Sequence, residues 1–440
     1  MTATDESASH LRPRAGAEKI GIWRRLTALT PWIGLALALV ALPLVFRSGT
    51  SLTVMSLMGI SIVFALSYNM LLGQTGMLSF GHAVYFGLGA YFTVHAMNAV
   101  VAVKMPIPVF LMPLAGGLAG LAFAMLFGWV STKRSGTAFA MISLGLAELV
   151  GSSSLILRSF FGGEEGVSAN RTKLLRVFDM SFGPQAQVYY LIAAWCFICI
   201  VLMFAVTRTP FGRICNAVRD NPQRVQFIGY DPHVVRYLAF SISGLFAGIA
   251  GALASINFEL ANAALFSASQ SGNVLLATFI GGAGNFFGPI LGAVLVTFLQ
   301  NMLSDVTEVW QLYFGLMFIA IVMYAPGGIA GLIMMHRPVW RAGVLMTLLP
   351  GYLMMLLPIA LLATGAVLVI EMITHLGVKS AEGTVMHLAG IAFDAKSWPP
   401  WLAALFALSS GAVASRIAAR RITAAWTQAR ASVEAQGLIG

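Results

Sequence analysis

Few side chains here are able to do chemistry, and their spacing narrows what they can do. Lysine stands only at positions 19, 104, 133, 173, 379 and 396, and none follows glycine. There is therefore no G-x-x-x-x-G-K-[ST] loop to cradle a nucleotide phosphate, and the chain cannot hydrolyse ATP by that route. Cys196 and Cys199 form a C-x-x-C inside an apolar run, with no second pair or histidine nearby to complete a metal site. Helical spacing puts both on one face, where they read as small apolar residues against lipid or a neighbouring helix; no metal is expected. Clustered catalytic acids, histidines and nucleophiles are missing, which leaves a membrane-embedded enzyme with little support.

The polar residues that remain gather at two glycine-rich places. Leu72-Gly73-Gln74-Thr75-Gly76-Met77-Leu78-Ser79-Phe80-Gly81-His82 puts three glycines and several polar side chains in apolar surroundings. It reads as an interrupted helix, tolerated at membrane depth only where protein or water satisfies the backbone. Ile280-Gly281-Gly282-Ala283-Gly284-Asn285-Phe286-Phe287-Gly288-Pro289 repeats that character late in the chain. Paired broken segments point to a transport site, whereas glycines used for tight helix packing would look the same. Gln74, Ser79, His82 and Asn285 are the polar groups expected near a pathway. Glu148 is the one acid well inside an apolar run, beside the small residues Ser143, Ala147 and Gly151. It is expected to face the bundle, either hydrogen-bonded to a neighbouring helix or along the substrate path.

The elements that must position these residues are membrane helices. Charged residues number 42 of 440, the hydrophobic share is 58%, and mean hydropathy is +0.85. Several uncharged runs reach about 20 residues, the length a bilayer-spanning helix needs. The expected fold is an all-α polytopic transmembrane bundle of about twelve spans, near 31–47, 52–72, 77–97, 107–130, 136–156, 186–206, 234–256, 262–282, 285–302, 311–334, 343–370 and 399–415. Residues 1–30 read as an uncleaved cytoplasmic arm, with Thr30-Pro31 opening the first span. The stretch 262–302 is split at its glycines, and charge supports the split: with both termini inside, Lys and Arg divide 18 inside to 8 outside. The net charge of +10 thus reads as cytoplasmic loops facing anionic lipid, and no nucleic-acid partner is expected.

Two hydrophilic loops are long enough to act as parts. The 157–185 loop is expected outside. In the 207–233 loop, expected inside, Thr209-Pro210 opens a short helix whose Phe211, Cys215 and Val218 share a face that could lie on the membrane surface. Asn221-Pro222 opens a second short helix ending at Gly229. Such a pair makes either a knob for a soluble partner or a solvated connector.

The stretch from Tyr68 through Ala83, continuing to Gly87-Leu88-Gly89-Ala90-Tyr91, closely resembles the signature of branched-chain amino acid ABC-transporter permeases. Thr209-Pro210-Phe211-Gly212-Arg213, Ala217-Val218-Arg219-Asp220-Asn221, Gly281 to Gly284 and Gly288-Pro289 agree, so the likeness runs over roughly 50–335. The Arg-Asp-Asn loop and Gly162-Gly163-Glu164-Glu165-Gly166 resemble the LivM type more than its LivH-like companion. The resemblance implies an importer of the bacterial inner membrane for branched-chain or related amino acids, working by alternating access. A LivH-like companion permease, two cytoplasmic ATPase subunits holding ATP-Mg and a periplasmic substrate-binding protein would complete it, with no cofactor in this chain. The core would be a ten-span unit with inverted repeats over 31–335. Residues 336–440, with two further spans and a basic tail, form an extension beyond where such permeases usually end.

On the importer reading, Gln74, Thr75, Gly76, Ser79, Gly81, His82, Glu148, Gly281, Gly282, Gly284 and Asn285, from the two breaks and the lone acid within an apolar run, are the residues expected along the translocation pathway. Arg208, Gly212, Arg213, Ala217, Arg219, Asn221 and Gly229 would couple to an ATPase, and Glu164 and Glu165 would meet the binding protein. The rival reading is a self-contained secondary transporter or channel.

Overall fold

The structure is a computed structural model that describes residues 15–176, 180–377, 383–388 and 390–436, without the side chains of 15–29. The chain forms two compact units, Met1–Asp305 and Val306–Gly440.

In the first unit, α1 (Ala15–Val45), α2 (Gly49–Thr75), α3 (Ala83–Val103), α4 (Met112–Ser131) and α5 (Thr137–Ile156) follow in close order. The short α6 (Arg158–Phe161) opens the first long loop, and α7 (Gln185–Arg208) closes it. Then come α8 (Pro210–Asp220), α9 (Pro222–Phe227), α10 (Pro232–Phe258), α11 (Ala268–Gly281) and α12 (Gly288–Ser304). Proline at the first turn and a polar cap explain several starts: the side chains of Thr209, Asn221 and Asp231 accept backbone N–H groups at the heads of α8, α9 and α10. The first helix departs from expectation. It begins at Ala15 and carries Pro31 inside, because Ala, Glu, Lys, Leu and Arg upstream are strong helix formers. Thr30-Pro31 is therefore not its start.

The core lies around α10, in which every residue from Phe246 to Asn257 is buried. Its small residues let backbones meet: a Cβ at Gly248 would sit 3.1 Å from the Gly116 carbonyl carbon in α4. Two-residue strands β1 (Val167–Ser168) and β2 (Leu260–Ala261) pair antiparallel and tie the 157–185 loop to the chain leaving α10.

The second unit contains α13 (Trp310–Tyr324), α14 (Gly328–Arg341), α15 (Leu349–Gly377), the hairpin β3 (Val385–Leu388) and β4 (Ile391–Asp394), and α16 (Trp398–Ala435). The segment expected as one span, 311–334, is interrupted at Pro326-Gly327 between α13 and α14, yet Trp310–Arg341 as a whole is long and apolar enough for one crossing. The basic tail residues Arg416, Arg420, Arg421 and Arg430 continue α16 as helix. The helices α15 and α16 approach closely where a Cβ at Gly365 would lie 3.0 Å from the Ala404 carbonyl oxygen. Tyr352 joins three helices, bonding His336 at 2.6 Å and accepting from Trp426 at 3.0 Å.

Among the described residues, nine helices are long and apolar enough to cross a membrane, and Thr30–Val45 and Gly288–Ser304 are shorter apolar ones. The chain is a multi-pass membrane protein. With 14 residues, α11 reaches about 21 Å, short of the roughly 30 Å hydrocarbon core.

Candidate functional site

The break between α2 and α3 is built by a glycine and repaired by serines. Gly76 takes the left-handed conformation at φ 71°. Its N–H donates to Leu72 O at 3.0 Å, the bond of an αL cap, while that of Met77 reaches Leu71 O at 3.3 Å. Thr75 turns its hydroxyl back onto Leu71 O at 2.6 Å. The backbone freed beyond this point finds side chains from distant helices: Phe80 N–H donates to Ser143 Oγ of α5 at 3.0 Å, and Ala83 N–H to Ser271 Oγ of α11 at 3.1 Å. Tyr68 donates to Ser79 O at 3.0 Å. A backbone that leaves the helix inside a membrane protein needs such partners.

His82 closes the break. It is buried, stacked on Phe64 at 5.4 Å between ring centroids and met edge-on by Tyr68 at 5.2 Å. Ser67 Oγ donates to Phe64 O at 2.7 Å and so accepts from His82 Nε2–H at 3.0 Å. That assignment leaves Nδ1 as a bare acceptor, and among the described residues it has no partner. Ser79 Oγ is likewise buried and unpartnered. Gly81 is required by close approach, since a Cβ there would overlap Ser143 O and stand 2.9 Å from its carbonyl carbon.

The second break lies directly against the first. α11 stops at Gly281, Gly282 turns at φ 108°, and Gly288-Pro289 starts α12. The backbone of Asn285 accepts from Gly288 N–H and donates to Gly282 O, both at 3.2 Å. A Cβ at Gly73, near the end of α2, would overlap Ala283 O. Two segments about 210 residues apart in sequence thus share one contact.

The 207–233 loop reaches the same point. Arg219 donates to Gly73 O from α8 and pairs with Asp220 at 3.1 Å. A Cβ at Gly76 would stand 3.0 Å from the Arg219 side chain. Cys215 and Val218, with Phe211 and Ala217 beside them, pack on Val225 of α9 and on Val235 and Ala239 of α10. This corrects the membrane-surface expectation: the apolar face of α8 is covered by its own chain. Burial pushes the Cys215 thiol up to about 12, so it stays protonated. Gly212 is buried against Thr207, Asn221 caps α9, and Gly229 turns at φ 89°. Arg208 and Arg213 are exposed, and so are the apolar Phe227, Ile228 and Tyr230. The last three escaped the sequence reading, which looked for charge.

Gln74 does not join His82. It faces a cavity of about 400 Å³ shared with Arg208, Arg213, Phe286 and Phe287. Gly284 is exposed, and a Cβ there would meet nothing within 4 Å. Glu148 also departs from expectation: Ser143 and Ala147 are buried but Glu148 is exposed, because one residue further on is about 100° around the helix. It shares an outward stripe with Ala138, Met141, Gly145 and Ser152, all exposed. Cys196 and Cys199 are buried against neighbouring helices.

In the 157–185 loop Glu164 and Glu165 are exposed between glycines at positive φ: Gly162, Gly163 and Gly166. The loop is pinned by Arg171, a residue no local pattern singles out. Its buried guanidinium donates to Phe182 O at 2.7 Å, Ile256 O at 2.8 Å and Asn257 O at 3.0 Å, and Glu259 lies 4.0 Å away. It therefore satisfies carbonyls at the end of α10.

Residues 50–325 match the family model described as the permease component of the branched-chain amino acid transport system. The chain is 26% identical over 327 residues to the high-affinity branched-chain amino acid transport system permease protein LivM of Escherichia coli, covering 70% of this chain and 75% of that one. It is 25% identical over 316 residues to the probable LivM of Methanocaldococcus jannaschii, covering 62% of this chain and 90% of the relative. The LivH permease protein of Salmonella typhimurium is 22% identical over 288 residues, 61% of this chain and 90% of LivH. No solved structure matches.

Proposed function

The chain belongs to the branched-chain amino acid permease family and is a LivM-like permease subunit of an ABC importer, and from that premise we propose how its parts work. The cargo is a branched-chain or related amino acid. A LivH-like companion pairs with it, two ATPase subunits holding ATP-Mg sit beneath, one of them docked on the 207–233 loop, and a periplasmic binding protein delivers cargo to the 157–185 loop, where Glu164 and Glu165 stand out. The membrane is the bacterial inner membrane, crossed about twelve times with both termini cytoplasmic. The permease core is 31–335, and the remainder is an extension.

The observation that carries the reading is the bond from Arg219 to Gly73 O. It joins the loop assigned to ATPase docking to the end of α2, beside both glycine breaks. Exposed Phe227, at 90% of its possible surface, with Ile228 and Tyr230 supplies the apolar contact a soluble partner would cover. When ATP draws the docked subunits together, α8 moves, Arg219 carries α2 with it, and the breaks at 76–82 and 282–287 flex. The outward stripe of Gly145, Glu148 and Ser152 supports placing that face of α5 against the companion permease along the pathway, since a carboxylate facing lipid is costly.

Reconstitution tests this. The chain with its companion, ATPases and binding protein should accumulate a branched-chain amino acid only with ATP; uptake by the chain alone on an ion gradient would refute it.

A further inference from the structure

We infer that the cavity between α8, the end of α2 and the second glycine break is a binding site for a free α-amino acid on the cytoplasmic face. The inference rests on the cytoplasmic placement of the 207–233 loop and on the amino-acid cargo proposed above. The cavity holds about 400 Å³, room for one amino acid with water around it.

Its lining divides by chemistry in the way an amino acid does. Arg208 and Arg213 supply two guanidinium groups, and no acidic residue among the described residues lines the space. A carboxylate is the natural anion for such a pair. The amide oxygen of Gln74 is buried and has no hydrogen-bond partner among the described residues. No hydrogen bond holds the amide nitrogen either, so a half-turn of this amide brings the oxygen to the cavity, where an ammonium group would satisfy it. Opposite these, Phe204, Phe286 and Phe287 form one aromatic wall, with ring centroids 5.2 to 5.7 Å apart. The Arg208 guanidinium sits 4.9 Å from the Phe204 ring centroid, which holds its charge at the edge of that wall. A zwitterion with an apolar side chain meets all three groups at once. A simple phosphate would leave the rings and the amide oxygen unused.

The place gives occupancy a consequence. Arg213 stands on α8, and Phe286 and Phe287 belong to the second break, so a bound amino acid bridges the parts whose relative motion drives transport. Cargo accumulating inside would slow the cycle.

The test uses the complete transporter in nanodiscs without its binding protein, and calorimetric titration with L-leucine, leucinamide and 4-methylvalerate. Leucine should bind saturably. Leucinamide lacks the carboxylate and 4-methylvalerate the ammonium, and each should bind about tenfold or more weakly, the loss of one charge-assisted hydrogen bond. The double variant R208Q/R213Q, checked for unchanged elution and melting, should weaken leucine by at least about the same factor. Equal binding of leucine and leucinamide, or wild-type affinity in a folded double variant, overturns the site. ATP-driven leucine uptake by a complex that shows no such binding overturns the site alone. Failure to take up any amino acid overturns the cargo reading beneath it.

Discussion

Replacing Gly81 by alanine should separate the packing role of the first break from mere tolerance of glycine. A Cβ at Gly81 would overlap the Ser143 carbonyl oxygen, stand 2.9 Å from its carbon and touch the Ala147 Cβ at 3.5 Å. Carbon pairs rest at about 3.5–4.0 Å, so α5 and the break must part by roughly 0.6 Å or more. Both partners are backbone, which cannot swing aside as a side-chain tip can. Overpacking of this kind costs about 1–3 kcal/mol. The movement also stretches the Phe80 N–H to Ser143 Oγ bond, now 3.0 Å, worth about 1 kcal/mol more if lost. Gly81 lies outside α3, so no gain in helix propensity offsets the loss. Gly284→Ala is the control, because its Cβ meets nothing within 4 Å and its φ is not positive; it should change stability by less than about 0.5 kcal/mol. Thermal melting of the purified transporter and ATP-driven uptake in proteoliposomes read both variants. Equal melting and equal uptake for Gly81→Ala and Gly284→Ala would refute the close-approach argument.

Three further perturbations test the other contacts. Arg219→Gln removes the donor to Gly73 O and should lower uptake per ATP hydrolysed while the transporter still assembles; an unchanged ratio counts against transmission through this bond. Arg171→Ala strips three carbonyls of a buried partner and should destabilise the 157–185 loop by about 2–4 kcal/mol, measured as faster proteolysis within that loop; wild-type cleavage rates would refute the pin. Glu148→Cys should react with a membrane-impermeant maleimide in the assembled transporter, against a low background because Cys196, Cys199 and Cys215 are buried. Protection of that position in every state of the cycle would place the stripe away from water.

What the sequence made legible was where helices stop, and what it hid was which neighbour each face meets. Gly76, Gly81 and the run from Gly281 to Gly284 announce two breaks, and Thr209-Pro210 and Asn221-Pro222 announce two short helices, because turn and cap chemistry is local. The serines that repair the first break were not legible as such: Ser143 is 63 residues from Phe80 and Ser271 is 188 from Ala83. Any hydroxyl in a span looks alike until the fold brings one to a free N–H. The outward turn of Glu148 has a related origin. A stripe of small residues tells which face packs inside its own chain, and Glu148 lies one step off that stripe. The face of α8 was misjudged for the opposite reason: amphipathic spacing shows that an apolar face needs cover, and α9 and α10 supply it before any lipid does.

The chemistry of the first break also explains how a rigid bundle could move there. Within α2 each carbonyl is held by its own helix, and shifting one bond shifts the whole ladder. Beyond Met77 the N–H groups of Phe80 and Ala83 and the carbonyl of Ser79 instead hang on single side-chain bonds, from Ser143 on α5, Ser271 on α11 and Tyr68. Each can lengthen or change partner without unwinding a helix, and the same stretch holds His82 Nδ1 and Ser79 Oγ, both without a partner among the described residues. Arg219 pulls at Gly73, three residues before the stop. A displacement of α8 therefore meets a helix end first and then the stretch of backbone with the fewest bonds to break, which is where motion at least cost must appear.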